Sequence, residues 1–172
     1  MKQKAILSLV LSAVLLLGVG CKKNTPPAEA TPEPTPEVVE ITGSLEEIMQ
    51  KVYDGTDLEL PMLGNVVIDK DNVGYYLGVD GLEFTEGLAS EALINAIAHS
   101  VCLVRLPDGA DVEAAKADIR QNCNPNKWIC VGVDDSNVVV DNIGNLVILI
   151  MADGSDALHK SFLALADAQA AQ

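Results

Sequence analysis

Cys102, Cys123, Cys130, His99 and His159 are the side chains of this 172-residue chain best suited to hold a metal or to act as nucleophile and base. Zinc needs ligands that converge tetrahedrally, commonly from Cys-x2-Cys pairs. No such pair occurs, and Cys123 and Cys130 are separated by six residues. His99 and Cys102 fall in a segment that reads as a strand, where a three-residue offset sends side chains to opposite faces. That geometry denies them a shared ion and denies the thiol an adjacent base. A disulfide between Cys123 and Cys130 would suit an exported domain. The apolar surroundings of both favour two buried thiols acting as small hydrophobes. His159, next to Lys160, reads as a surface residue. Asp69-Lys70-Asp71-Asn72-Val73-Gly74, with Asp80 twelfth, has the outline of a calcium loop, but Val73 offers no oxygen and the last acid is Asp rather than Glu. It reads instead as a polar turn in which Asp69 or Asp71 caps a short helix. Gly-x-Ser-x-Gly, Ser-x-x-Lys and a glycine-rich phosphate loop are all missing. The sequence therefore assigns no catalytic, cofactor-binding or metal residue.

Cys21 is different. Lys2 and Lys4 precede an apolar run from Ala5 to Val19, 15 residues long, which ends at Gly20-Cys21 and is followed by Lys22 and Lys23. A bilayer span needs roughly 20 apolar residues, so the run suits a cleaved signal better than a membrane helix. A signal ending in a small residue and cysteine resembles that of bacterial lipoproteins. Here Gly18 stands three before the cysteine, where Leu is usual, and Leu17 lies one further back. The resemblance implies cleavage before Cys21, palmitate-type acylation of that residue and retention on the outer side of the cell membrane. An uncleaved N-terminal helix and an unlipidated signal are the alternatives. One acyl chain binds a bilayer only marginally, whereas two hold it stably.

Residues 21–43 read as a tether. Pro26, Pro27, Pro32, Pro34 and Pro36 alternate with Thr, Ala and Glu, and Glu29, Glu33, Glu37 and Glu40 repel one another. In polyproline geometry twenty such residues reach up to ~60 Å. A ligand for a proline-recognition domain is the other reading. The formal charge of −14 becomes −16 once residues 1–20, with Lys2 and Lys4, are removed. With only 3% aromatic residues, such a chain is poorly equipped to bind phosphate backbones or stack on bases, so nucleic acid is not an expected partner.

The remainder, 44–172, reads as one α+β domain. Ser44-Leu45-Glu46-Glu47 forms a capping box ahead of the stripe Leu45, Ile48, Met49, Val52. Residues 56–68 look irregular, and 70–77 could hold a helical turn. Strands are predicted at 82–89, 97–106, 128–133, 138–140 and 146–151, the last without alternation and so covered on both faces. Gly144 suits a hairpin turn at positive φ. Residues 90–98 fit either a short helix or a hairpin. Helices are predicted over 110–122, with Val112, Ala115 and Ile119 inward, and after Gly154, packing through Leu158, Phe162 and Leu165. The expected architecture is a mainly antiparallel sheet with helices on one face, built from two successive strand-strand-helix units, 82–122 and 129–168.

The segment Ala98-His99-Ser100-Val101-Cys102-Leu103-Val104-Arg105-Leu106, then Asp108-Gly109-Ala110-Asp111-Val112-Glu113 with its helix, resembles a family of small uncharacterised bacterial lipoproteins. The strand Gly144-Asn145-Leu146-Val147-Ile148-Leu149-Ile150 and the following helix fit the same order. The resemblance extends over about 44–168 and implies no catalytic residue. The expected function is a membrane-anchored, extracytoplasmic, non-catalytic binding module with an envelope protein or small ligand as partner. The alternatives are a small envelope hydrolase whose acidic residues converge only in the fold, and a homo-oligomeric envelope component suggested by the apolar 146–151 strand.

Overall fold

The computed structural model describes residues 40–170; Cys21, the signal segment and the tether up to residue 39 lie outside them. Helix α1 (Leu45–Asp54) begins as the capping box requires. Ser44 Oγ accepts from the Glu47 amide, and the Glu47 carboxylate accepts from the Ser44 amide, each at 3.2 Å. Two of the four open donors of the helix start are thereby satisfied. Leu45, Ile48, Met49 and Val52 are all buried.

The chain continues through β1 (Leu63–Val67), α2 (Val73–Leu77), β2 (Glu86–Ala92), β3 (His99–Arg105), α3 (Val112–Asn122), a 3-10 turn (Asp135–Asn137), β4 (Val138–Ile143), β5 (Leu146–Ala152) and α4 (Ser155–Ala170). The five strands form one sheet in the order β1-β2-β3-β5-β4, every neighbour antiparallel. The fold is α+β, and β2–β3–α3 and β4–β5–α4 are its two successive units.

The helices cover both faces of the sheet rather than one. The reason lies in the three inner strands. Val101 and Leu103 of β3, with Leu146, Ile148 and Ile150 of β5, join α1 and α4 in one core. Cys102 and Val104, with Val147, Leu149 and Met151, join α2, α3, Trp128 and Val133 in a second. A Val, Leu or Ile side chain left in water forfeits about 1.5–3 kcal/mol, so strands apolar on both sides require two covers.

Several elements differ from expectation in detail. Strand β1 lies where irregular chain was expected, because an edge strand need not alternate: Leu63 packs against the core, while Asn65, Val66 and Val67 are exposed. Strand β2 starts four residues late and runs on to Ala92. The 93–98 segment is a hairpin loop, not a helix. Residues 128–133 are a loop rather than a strand. The Val133 amide donates to Pro125 O at 2.9 Å and Cys130 sits at φ 64°, so the segment turns on itself while still burying Trp128 and Val133. Gly144 occupies the β4–β5 turn at φ 56°, as the hairpin demands. Strand β5 is central and buried throughout, so its apolarity is core and offers no surface for oligomerisation.

Candidate functional site

The residues singled out for chemistry are scattered. His99 and Cys102 face opposite cores of β3. On the α1 side, His99 is 4% exposed and its Nε2 lies 3.1 Å from the Tyr53 phenol. Burial pushes the imidazole pKa down, against a weaker upward pull from Glu91. Burial also pushes the Tyr53 pKa well up, so the phenol stays protonated beside the imidazole. On the other side Cys102 is fully buried and burial raises its thiol pKa to about 11, which suits a packing residue and not a nucleophile.

Cys102, Cys123 and Cys130 are all free thiols. Cys123 is half-buried at the end of α3, but Cys130 is exposed, contrary to the expected burial, because its segment is a loop. Asp69 Oδ1 accepts from the amides of Asp71 and Asn72, at 2.9 and 3.2 Å, so the polar turn is present, but neither Asp69 nor Asp71 caps α2, whose N-cap is Asn72 without a side-chain cap bond. Among the described residues no three His, Cys, Asp or Glu side chains gather closely enough to hold a metal ion. His159 is not a free surface residue: its Nε2 lies 2.7 Å from Asp141 Oδ2 on β4. Lys116 of α3 reaches the same carboxylate at 3.4 Å and Asn142 Oδ1 at 2.8 Å. Partial burial opposes ionisation of Asp141, but the His159 bond, the Asn142 amide and Lys116 outweigh it and lower its pKa.

A polar cluster invisible in the sequence lies under α2. The Lys127 ammonium, on a side chain only 2% exposed, sits 2.7 Å from Glu91 Oε1 and 3.1 Å from Ser100 Oγ. The rings of Tyr75, Tyr76 and Trp128 surround it at 4.9, 4.9 and 5.4 Å. Serine and lysine at this distance resemble a hydrolytic pair in outline, yet Ser100 is fully buried and bonded to Glu91, with no path for a substrate. The cluster holds the loop at 124–133 against the sheet.

Two of the accessible concavities border β1; a third, about 680 Å³, lies between the 79–83 segment and the start of α3. Helix α1 runs over β2 and stops short of the sheet edge, leaving a trough between helix and edge strand. Towards the Tyr53 end, a hollow of about 630 Å³ is lined by Met49, Tyr53, Leu60, Leu63, Asn65 and Ser90. Ser90 is 1% exposed and its hydroxyl, though near the Tyr53 phenol, makes no hydrogen bond of acceptable geometry; with Trp128 Nε1 it is one of two buried side-chain polar atoms without a partner among the described residues. At the other end a larger groove, about 890 Å³, is lined by Leu45, Val67, Leu82, Phe84 and Leu88 together with Glu46, Asp69, Glu83 and Glu86, against the single cation Lys70. Glu46 lines both hollows. Apolar walls with a few placed polar groups are the usual make-up of a binding site. Nothing in residue spacing announces this one, since its walls come from α1, the 81–88 segment and an edge strand without alternation.

No family model matches this chain, and no curated protein or solved structure matches it either.

Proposed function

We propose that this protein is a non-catalytic binding module of the cell envelope, tethered to the outer side of the membrane through lipid on Cys21, and that the trough between α1 and β1 is where it binds. The observation that carries the reading is the pair of hollows that meet at Glu46, acidic at one end and lined by the Tyr53 and Ser90 hydroxyls at the other. The lipoprotein-like signal and proline-rich tether support the location. A hydrolase built on converging carboxylates draws no support from this site, because Glu86 is held by Arg105 and the polar cluster most like a catalytic one is sealed.

The test is site-specific photo-crosslinking in the native envelope. A photoreactive residue at Gln50 or Val67, on the trough, should yield a discrete adduct that the same residue at Ala117 on the outer side of α3 does not. Equal adducts from both faces, or none from either, would overturn the reading.

A further inference from the structure

The site's long wall is an open strand edge. The Leu93 amide donates to Met62 O, and the Ile68 amide donates to Gly87 O, at 2.9 Å each. Hydrogen-bonded pairs alternate along an antiparallel ladder. With the β1–β2 register, Gly64 and Val66 therefore bond to β2, whereas Leu63, Asn65 and Val67 turn their amides and carbonyls outward. The Val67 carbonyl is taken by Asn72 Nδ2 at 3.0 Å. Three amides and two carbonyls remain open, since no strand pairs with this side of β1 among the described residues.

The two sheet edges are treated differently. On β4, Asp141 and Asn142 are bridged by Lys116 from one layer and His159 from the other, so charged side chains cross the edge. Such charges discourage strand pairing. Strand β1 carries no charge, and Met62, Val66 and Val67 are 72%, 39% and 65% exposed. The side chains of Leu63, Asn65 and Val67 stand on the α1 face, beside Ala92, Ser90 and Leu88, so a strand laid against this edge would direct alternate side chains into the trough.

Resting on the trough as the binding site, we infer that its occupant is an extended, basic polypeptide segment that adds to β1 as a sixth strand. Main-chain bonds to Leu63, Asn65 and Val67 would supply affinity, and alternate side chains specificity. Charge selects the partner. Glu46, Asp69 and Glu83 outnumber Lys70 around the groove, Glu86 being paired with Arg105, and the chain as a whole is strongly acidic. Two copies of such a chain repel; a lysine- or arginine-bearing strand is attracted.

The experiment uses the mature chain, anchor included, in phosphatidylcholine nanodiscs, which present no net charge to a cationic peptide. The probes are end-blocked octapeptides of alternating Lys and Val and of alternating Glu and Val. The lysine peptide should bind at least about tenfold more tightly than the glutamate peptide at low salt. It should slow amide exchange at Leu63, Asn65 and Val67. Asn65→Pro removes an outward amide while leaving the ladder to β2 intact, because an edge strand tolerates proline with its nitrogen facing out. It should weaken binding about tenfold with the melting curve retained. Binding that ignores Asn65→Pro but weakens with Glu46→Lys and Glu83→Lys overturns strand addition and leaves the trough reading standing. Binding that ignores all three substitutions overturns both, whereas no binding of the lysine peptide overturns the basic sixth strand and leaves the trough to its crosslinking test. Slowed exchange at the same three amides without peptide, growing with protein concentration, assigns the edge to a second copy and overturns the basic partner.

Discussion

Lys127 illustrates how much a single side chain does here. Its ammonium is taken out of water into a box of three rings, one carboxylate and one hydroxyl. Removing one partner of a buried ion pair strands the other and costs about 3–5 kcal/mol, whereas replacing both by apolar groups is often near neutral. Lys127→Met should therefore lower unfolding free energy by about 3 kcal/mol in urea titrations, and adding Glu91→Leu should recover most of it. His99 sets a pH dependence of the opposite character. Its folded pKa is depressed by burial, so below about pH 6.5 the unfolded chain binds a proton that the folded chain refuses. Stability is then complete above that value and falls as the pH drops through it. Urea midpoints for the native chain should decline from pH 7.5 to 5, and His99→Gln should flatten the decline. Asp141 also loses stabilisation on acidification, but only at lower pH, near and below the ordinary carboxylate range.

At the scale of elements, the strongest constraints are close approaches of backbone. Gly78 ends α2 at φ 78°, and a Cβ there would lie 2.1 Å from the Asn122 carbonyl oxygen at the end of α3. Gly78→Ala combines left-handed strain with a clash against main chain, and should cost more than about 1 kcal/mol, visible as a lower melting temperature. The elements legible in the sequence were those with a local signature. The capping box before α1, the stripes of α3 and α4, the two-sided apolarity of β5 and the glycine turn before it all stand in the fold. What stayed illegible depends on neighbours. The edge strand β1 has no buried face to impose alternation. Trp128 and Val133 reach the core from a loop, so apolar composition there mimicked a strand. The one-sided helix arrangement failed because β3 alternates between two cores, which a list of uniformly apolar residues does not reveal. The candidate site was hidden for the same reason: Glu46, Ser90 and Asn65 come from three elements and meet only in space.

For the molecule as a whole, the proposed lipid on Cys21 makes a direct claim about where the domain is found. Cys21→Ser should abolish incorporation of labelled palmitate and move the protein from the membrane fraction to the soluble one; unchanged membrane retention would remove the anchor. Just ahead of α1 the chain is pinned to the ends of two inner strands. Arg105, the last residue of β3, donates to the carbonyls of Ile41 and Gly43 and is itself gripped by Glu86 of β2. The chain at 41–43 is thus fastened to β2 and β3 through one guanidinium, and any pull transmitted through it meets those strands first at their ends. On the proposed anchor, Arg105 would be the first clasp between leash and sheet, and Arg105→Ala should loosen the 41–43 segment before the strands themselves.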